Sequence, residues 1–544
     1  MRPLTQASLT KPGPDGPDDE PPMARTPATR LPAVIPGGVS HAAAAPPLDA
    51  AERSALSRLR RWGTVGSLLL MVGSSSSYGA ATPIPNPVDG VRILGVLSRV
   101  GPAALACSAS GIGLLVLCWF LIGRLAVAGR PRRLSRRQLV HTLVMWTVPL
   151  LVTPPIFSRD VYSYLAVGRM MAAGHDPYAS GPYDVLGDGD PYAHQVDARW
   201  QHTPTPYGPV FLLVARAVVA VSGDSVIAGV LLQRLVELAG VALVVWALPR
   251  LATRLGFDPV AALWLGALNP LVLLHLVAGA HNEALMIGLM LAGLLVALGC
   301  TRRLGTGTAA VLLGAVLISL AAAIKITALL ALPFLAIALA RRAGGRWADL
   351  FRQAARIGIP AVLAFAAATV LAGGGIGWIA GLGAPGSVQS FLSVSTSLGT
   401  GAGAIGLLLG LGDHTQAAIG VTQPLGTAAG LLLGVAVMWF SWRGRIEPVL
   451  GLGLAMGAVV LLGPVIQPWY LLWAVIPLAA ATAQPRLRKA AVWLSVLFAV
   501  IIMPNGATIP VFTIVRAVAV AAAVAAVALF FLARGGLPRS RPPT

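Results

Sequence analysis

RPRRLSRRQLVHTLVMWTVPLLVTPPIFSRDVYSY, residues 130–164, is the stretch on which the architecture turns. It opens with Arg130, Arg132, Arg133, Arg136 and Arg137, runs through an apolar segment at 139–157, and ends on Ser158-Arg159-Asp160. An α-helix needs roughly 20 apolar residues to cross the hydrocarbon core of a bilayer. A cluster of arginines before such a run holds that end of the span in the cytoplasm. The run therefore delivers Asp160 to the opposite, outer surface.

The same alternation of arginine clusters and apolar runs continues in both directions. Arg53, Arg58, Arg60 and Arg61 precede a span at 62–81, and a second span covers 101–123. Beyond Asp160, spans are expected at 226–248, 259–277, 284–300, 307–323, 327–340, 357–373, 421–441, 447–466, 470–483, 490–504 and 510–533. Their inner ends carry Arg250/Arg254, Arg302/Arg303, Arg341/Arg342/Arg346, Arg443/Arg445, Arg486/Arg488/Lys489 and Arg534. The expected fold is an all-α polytopic membrane protein of about 14 spans, both termini inside. Residues 1–55 read as a disordered Pro-rich cytoplasmic tail without the apolar region of a signal peptide. Residues 56–535 form the membrane domain, with a long outer loop at 158–225 and a second outer stretch at 377–419. Residues 536–544 form a short cytoplasmic tail.

Composition excludes the alternatives. Of 544 residues 56% are hydrophobic and 11% charged, against roughly 25% charged in soluble domains. Mean hydropathy is +0.77. The formal charge of +20 suggests nucleic acid at first sight, but only Lys11, Lys325 and Lys489 are lysines, and the 37 arginines lie mostly in clusters between spans. That is a topology signal, and no nucleic-acid partner is expected. Cys107, Cys118 and Cys300 sit in apolar segments without metal-ligand spacing, so no metal and no cofactor is expected.

The chemistry gathers in the outer loop. Seven of the 20 acids (Asp160, Asp176, Asp184, Asp188, Asp190, Asp197, Asp224) and six of the eight tyrosines (Tyr162, Tyr164, Tyr178, Tyr183, Tyr192, Tyr207) lie within 158–225. Tyrosine stacks on apolar sugar faces and hydrogen-bonds through its hydroxyl; a belt of interfacial aromatics is the competing explanation. Val161–Ala173 has helical periodicity and suits an interfacial helix. Asp160 at its head is either an N-cap or a general base, placed where a lipid-borne substrate meets a sugar hydroxyl. Gly174-His175-Asp176-Pro177-Tyr178 is a helix-ending turn, and Pro206-Tyr207-Gly208-Pro209 starts a second interfacial segment at 208–222. His281-Asn282-Glu283 occupies an outer hairpin, either wet or facing the Asp160 cavity. Lys325 is either a snorkelling side chain or a point charge for a phosphate. Gln467-Pro468-Trp469-Tyr470 is another outer turn. The sequence lacks a Walker A motif, a dinucleotide fingerprint and a soluble domain sized for a sugar nucleotide, so an activated donor is expected to arrive on a lipid.

Ser158-Arg159-Asp160-Val161-Tyr162-Ser163-Tyr164, Asp176-Pro177-Tyr178, Pro206-Tyr207-Gly208-Pro209 and His281-Asn282-Glu283 resemble the motifs of the actinobacterial polyprenol-phosphomannose-dependent α-1,6-mannosyltransferases, over roughly residues 60–510. The resemblance departs at Glu283, where that family often has Asp, and in the Pro-rich tail. It implies a GT-C glycosyltransferase bundle with interfacial helices in the outer loop. The implied enzyme works at the outer face of the plasma membrane, moving mannose with inversion from polyprenyl-phosphate-mannose to an α-1,6-mannan glycolipid of lipomannan and lipoarabinomannan synthesis. On that basis Asp160 is the catalytic base. Arg159, Lys325 and His281 face the donor phosphate. Tyr162, Tyr164, Asp176, Tyr178, Tyr207, Asn282, Glu283, Gln467, Trp469 and Tyr470 contact substrate. The rival readings are a lipid-linked-sugar transporter or flippase, which should hold its charges near mid-membrane in broken helices, and a GT-C enzyme for another sugar.

Overall fold

A computed structural model of the chain describes residues 46–92, 94–126, 134–299, 306–373, 375–381, 390–501 and 509–536. Most of the Pro-rich tail, Arg130, Arg132, Arg133, Cys300, Arg302, Arg303, part of the second outer stretch and nearly all of the C-terminal tail lie outside the described residues. The described chain is helical, without a β-strand.

Helices α1 (Ala50–Gly73), α2 (Leu94–Arg99), α3 (Gly101–Ala126) and α4 (Arg136–Thr147) lead to the outer-loop segment. That segment folds into α5 (Asp160–Ala172), α6 (Pro182–Leu186) and α7 (Pro209–Ser222). There follow α8 (Val226–Arg254), α9 (Pro259–Leu265), a π-helical stretch Val272–Ala278, α10 (Glu283–Leu298), α11 (Thr306–Ala322), a 3₁₀ turn Ile326–Leu330, α12 (Ala331–Ala343), α13 (Trp347–Leu371) and α14 (Trp378–Gly381). The last part holds α15 (Val394–Leu408), α16 (Thr415–Trp442), α17 (Pro448–Leu462), α18 (Leu471–Ala481), α19 (Pro485–Ile501) and α20 (Val511–Arg534).

Local signals explain the starts. Asp49 with Glu52 and Ser135 with Gln138 form capping boxes on α1 and α4, each satisfying free N–H groups of the first turn. Ser225, Asp258 and Glu447 cap α8, α9 and α17, and Pro259 and Pro448 follow in the first helical position, where a missing N–H costs nothing.

Six described stretches are long and apolar enough to cross a membrane: Gly101–Ala126, Val226–Arg254, Ile326–Ala343, Trp347–Leu371, Thr415–Trp442 and Val511–Arg534. A seventh results if Val272–Ala278 and Glu283–Leu298, bent by 108°, form one broken span. The sequence reading of about 14 spans counted shorter runs as well. Gly307–Ala322, Pro448–Leu462 and Pro468–Ala481 are apolar, but a helix of 15 residues is only about 22 Å long, short of the roughly 30 Å hydrocarbon core.

Helix α10 packs between α8 and α11, α1 and α20 pack on α3, and α16 packs between α15 and α17. The α8–α10 crossing is close because it is lined by glycines: a Cβ on Gly240 would lie 2.3 Å from the Ala284 carbonyl carbon, and one on Gly288 would lie 2.5 Å from the Gly240 oxygen. Small residues at such a crossing replace the hydrophobic effect with backbone proximity, as membrane helices require. Helix α5 departs from the half-wet interfacial helix expected. Ten of its 13 residues are buried, because α7 and α8 pack against it.

Candidate active site

Two non-glycine residues with left-handed backbone stand directly before the two polar motifs: Phe157 (φ 71°) before Ser158-Arg159-Asp160, and Ala280 (φ 52°) before His281-Asn282-Glu283. Such a conformation costs of order 1 kcal/mol or more in a residue with a Cβ and persists where the surroundings fix it. Here it turns two chain segments toward each other.

Asp160 occupies the first helical position of α5, its N–H donating to the Ser158 Oγ at 3.0 Å. The cap position itself belongs to Arg159, whose side chain caps nothing. The Asp160 carboxylate is 22% exposed, and its Oδ2 lies 3.5 Å from Nδ1 of His281, a residue with no exposed surface. The Tyr164 hydroxyl lies 3.5 Å from the same nitrogen. His281 stacks on Trp469 with ring centroids 3.7 Å apart. Burial raises the Asp160 carboxyl above its ordinary range, while the Ser158 hydroxyl and the charges of Lys325 and Arg199 pull it down and Asp197 pushes it up.

Glu283 heads α10 and is buried, and its Oε1 is ion-paired with the Lys325 ammonium. That ammonium also sits over the rings of Tyr470 (4.4 Å) and Trp473 (5.2 Å), so it is held by a carboxylate and two π-faces. Lys325 comes close to the outer-loop segment through the Pro206–Pro209 turn. Gly208 and Val210 donate backbone N–H bonds to the carbonyls of Ile324 and Ala323 at 3.1 and 3.0 Å. A Cβ on Gly208 would fall 2.3 Å from the Ala323 oxygen, so only glycine permits this docking. Tyr164, Tyr207 and Phe211 meet edge to face at 4.8–5.2 Å and form an aromatic wall.

The other sequence-selected residues are placed differently. Arg159 spends Nε and Nη2 on the carbonyl and side-chain oxygens of Gln195 (2.7 and 3.2 Å) and Nη1 on the Thr82 carbonyl (3.1 Å). Tyr162 is buried with its hydroxyl donating to the Ala81 carbonyl at 2.7 Å. Both tie the start of α5 to the chain after α1. Asp176 is exposed and accepts the Tyr178 N–H at 2.9 Å, a turn-forming bond. Tyr178 donates to the Tyr207 carbonyl at 2.9 Å. Gln467 precedes the 3₁₀ turn Pro468–Tyr470, and Ser390 and Ser393 donate to the carbonyls of Ile466 and Gly463 behind it, both at 2.8 Å. Asn282 is buried and neither atom of its amide has a partner among the described residues; the same holds for Glu283 Oε2, His281 Nε2 and both ring nitrogens of His275. Buried polar groups are nearly always partnered, so this cluster carries unspent hydrogen-bonding capacity.

Three residues escaped the sequence reading. Arg234, buried in α8, donates to the carbonyls of Val277 (3.1 Å), Ala278 (3.0 Å), Leu151 (2.5 Å) and Thr153 (2.7 Å). It clamps the two segments that lead into Phe157 and Ala280. Glu237, one turn on, accepts from Gln233 at 2.8 Å and from the Leu285 N–H at 3.2 Å. His275 lies in the π-helical stretch, 5.1 Å from Trp469. Their signal was available: ionisable groups inside an apolar run are costly and mark function. Among the described residues no three His, Cys, Asp or Glu side chains form a metal-ligating group. Two hollows of about 710 and 630 Å³ lie elsewhere, and neither is lined by Asp160, Glu283 or Lys325.

Comparison with known proteins places this geometry in context. Residues 60–341 match the family model described as α-(1→6)-mannopyranosyltransferase, N-terminal domain, and residues 395–530 match the MptB C-terminal domain. The chain is 41% identical to a probable α-(1→6)-mannopyranosyltransferase of Mycolicibacterium smegmatis, over 92% of each chain. It is 41% identical to an α-(1→6)-mannopyranosyltransferase of Mycobacterium tuberculosis over 90% of each. It is 36% identical to α-(1→6)-mannopyranosyltransferase B of Corynebacterium glutamicum, over 84% of this chain and 78% of that one. No solved structure matches.

Proposed function

The chain belongs to the α-(1→6)-mannopyranosyltransferase family of membrane hexosyltransferases, and from that premise we propose that Asp160 is the general base of an inverting mannosyl transfer. The donor is polyprenyl-phosphate-mannose and the acceptor a hydroxyl of a growing α-1,6-mannan glycolipid, at the extracytoplasmic face of the plasma membrane. One observation carries the reading: a partly exposed carboxylate at the head of α5 stands beside a fully buried histidine and near a buried Lys–Glu pair.

Asp160 accepts the proton of the acceptor's 6-hydroxyl as that oxygen bonds to the anomeric carbon. The bond from that carbon to the phosphate oxygen breaks on the opposite face, and its electron pair leaves with polyprenyl phosphate. A phosphate leaves as a stable anion, so charge stabilisation replaces the acid that a glycosidase needs, and one carboxylate suffices. Lys325 has three N–H donors. Glu283 takes one and orients the ammonium, and the remainder serve the donor phosphate. His281 holds the Asp160 carboxylate, and Trp469, Tyr470, Tyr164 and Tyr207 supply apolar walls for sugar rings. Arg159, with three of its five N–H donors on Gln195 and Thr82, is assigned to holding the loop, as is Tyr162.

The test uses membranes bearing the full chain, labelled mannosyl-phosphoryl-polyprenol and a short α-1,6-mannoside. Transfer of label into an α-linked product by the wild type, and its loss in Asp160→Asn, is the expected result. Transfer that persists at near-normal rate in Asp160→Asn refutes the base assignment. The side of the membrane is tested separately: a cysteine introduced by Asp188→Cys should react with an impermeant thiol reagent in intact cells.

A further inference from the structure

The larger hollow, about 710 Å³, opens between the starts of α1 and α4, at the end of the bundle opposite Lys325. Arg53, Ser57 and Arg60 line it from one stripe of α1, at spacings of four and three residues. Arg137, Gln138 and His141 line it from α4. Among the described residues no acidic side chain lines it. The two helices close together deeper down, where the Trp146 Nε1 donates to the Arg60 carbonyl at 3.0 Å. Arg60 closes the floor through Thr142 Oγ1 (3.1 Å) and the Gln138 carbonyl (3.3 Å). Arg137 and His141 make no hydrogen bond or ion pair among the described residues.

This arrangement runs against helix electrostatics. The N-terminus of a helix is positive and favours anions, yet Arg136 and Arg137 fill the first two positions of α4, whose first turn has no acid. Orientation by positive charge requires arginines on this side of the membrane. It does not require them to converge from two helices on one cleft. An anion in the cleft reconciles the two: it meets the acid-free first turn of α4 and three guanidinium groups at once. We propose that this cleft binds the phosphate-bearing headgroup of an anionic membrane lipid. Further along, Leu68 of α1, Val144 of α4 and Val148 just past its end are exposed apolar side chains able to carry acyl chains. Free phosphate shares the headgroup chemistry but would make no use of those chains.

The test titrates the purified full chain in detergent with phosphatidylglycerol, phosphatidylcholine or inorganic phosphate, reading the thermal unfolding midpoint. Phosphatidylglycerol should raise it saturably, and the other two should not. Arg137→Gln, which removes no hydrogen bond, should weaken that effect about fivefold, the worth of one basic residue near an anionic lipid. Arg53→Gln with Arg137→Gln should weaken it about twenty-fivefold on the same basis. The double variant Arg443→Gln/Arg445→Gln, with equal charge loss elsewhere, should respond like the wild type. Equal responses to phosphatidylglycerol and phosphatidylcholine, an equal loss in the Arg443/Arg445 control, or inorganic phosphate matching phosphatidylglycerol would each overturn the lipid site.

Discussion

At the end of the bundle where α8, α10, α12 and α16 finish, arginines meet backbone carbonyls. Arg342 donates to the Leu298 carbonyl at 2.9 Å, Arg341 to that of Ser441 at 2.9 Å, and Arg254 to that of Leu295. Most are at least partly solvated and complement the negative ends of the helices. At the other end, Lys325 pairs with Glu283 under aromatic cover and Asp160 faces His281, and among the described residues Asn282, His281 and His275 keep unpartnered atoms. Removing charges from water costs more than an ion pair generally returns. Those three arginines thus spend their charges on the fold, while the second end holds charges and polar atoms that the fold alone does not use.

That contrast is broken most directly at Asp160. Asp160→Asn keeps size and most hydrogen-bonding capacity but cannot take up a proton at neutral pH. Turnover should fall by about 10²–10⁴-fold, with expression and the melting temperature close to wild type. Asp176→Asn, in an exposed turn, is the control. If Asp176→Asn abolishes transfer and Asp160→Asn spares it, the reacting carboxylate lies in the solvated part of the loop.

Arg234 sharpens the comparison, because it is an arginine bonded to carbonyls like those of the opposite end but buried beside the site. Arg234→Met should cost at least about 3 kcal/mol in stability, since four carbonyls lose a charged donor. The exposed Arg250→Gln should stay within about 0.5 kcal/mol. Thermal melts of both variants decide it, and equal shifts would erase the distinction between the ends. Lys325→Ala should weaken donor use by about 2–5 kcal/mol, as Glu283 is left buried and unpaired. Adding Glu283→Gln should recover stability but not transfer. Recovery of transfer as well would show that the ammonium serves only the carboxylate.

How much of this was legible depended on the physical scale of the signal. Arginine clusters bounding apolar runs mark helices because charge and burial repeat over whole spans, and α8, α12, α13, α16 and α20 lie close to where that pattern puts them. Turn chemistry was equally local: Gly208-Pro209 does begin α7. Span number was less legible, since an apolar run of 14 or 15 residues reads alike in a core helix and a short membrane helix. The juxtaposition of Asp160 with His281, and of Glu283 with Lys325, joins residues far apart in the chain. No periodicity encodes it. It depends on two left-handed turns and on Arg234, whose setting within an apolar run was a signal passed over. Arg159 shows the converse. Beside the Asp160 carboxylate it reads as a phosphate ligand, and only the folded positions of Gln195 and Thr82 show where three of its donors go.

The smallest expected effect is the most discriminating between the two kinds of charge. Arg199 is exposed and paired with Asp197, Nε to Oδ1 at 2.9 Å, yet its charge lowers the Asp160 carboxyl while Asp197 raises it. A base works in its deprotonated form, so the rate is lost as pH falls through the folded-state pKa of Asp160. Burial lifts that pKa, and the acid limb of the rate profile should lie above the roughly 3.9 of a free aspartate. Arg199→Gln removes a stabilising charge and should move the limb to higher pH. Asp197→Asn removes a like charge, frees Arg199, and should move it lower. Both shifts should shrink with added salt, because Arg199 is solvated and screened, while the plateau above the limb stays unchanged. If the limb moves with neither variant while Asp160→Asn still lowers the plateau, the titrating group belongs to the buried cluster around Glu283 rather than to Asp160.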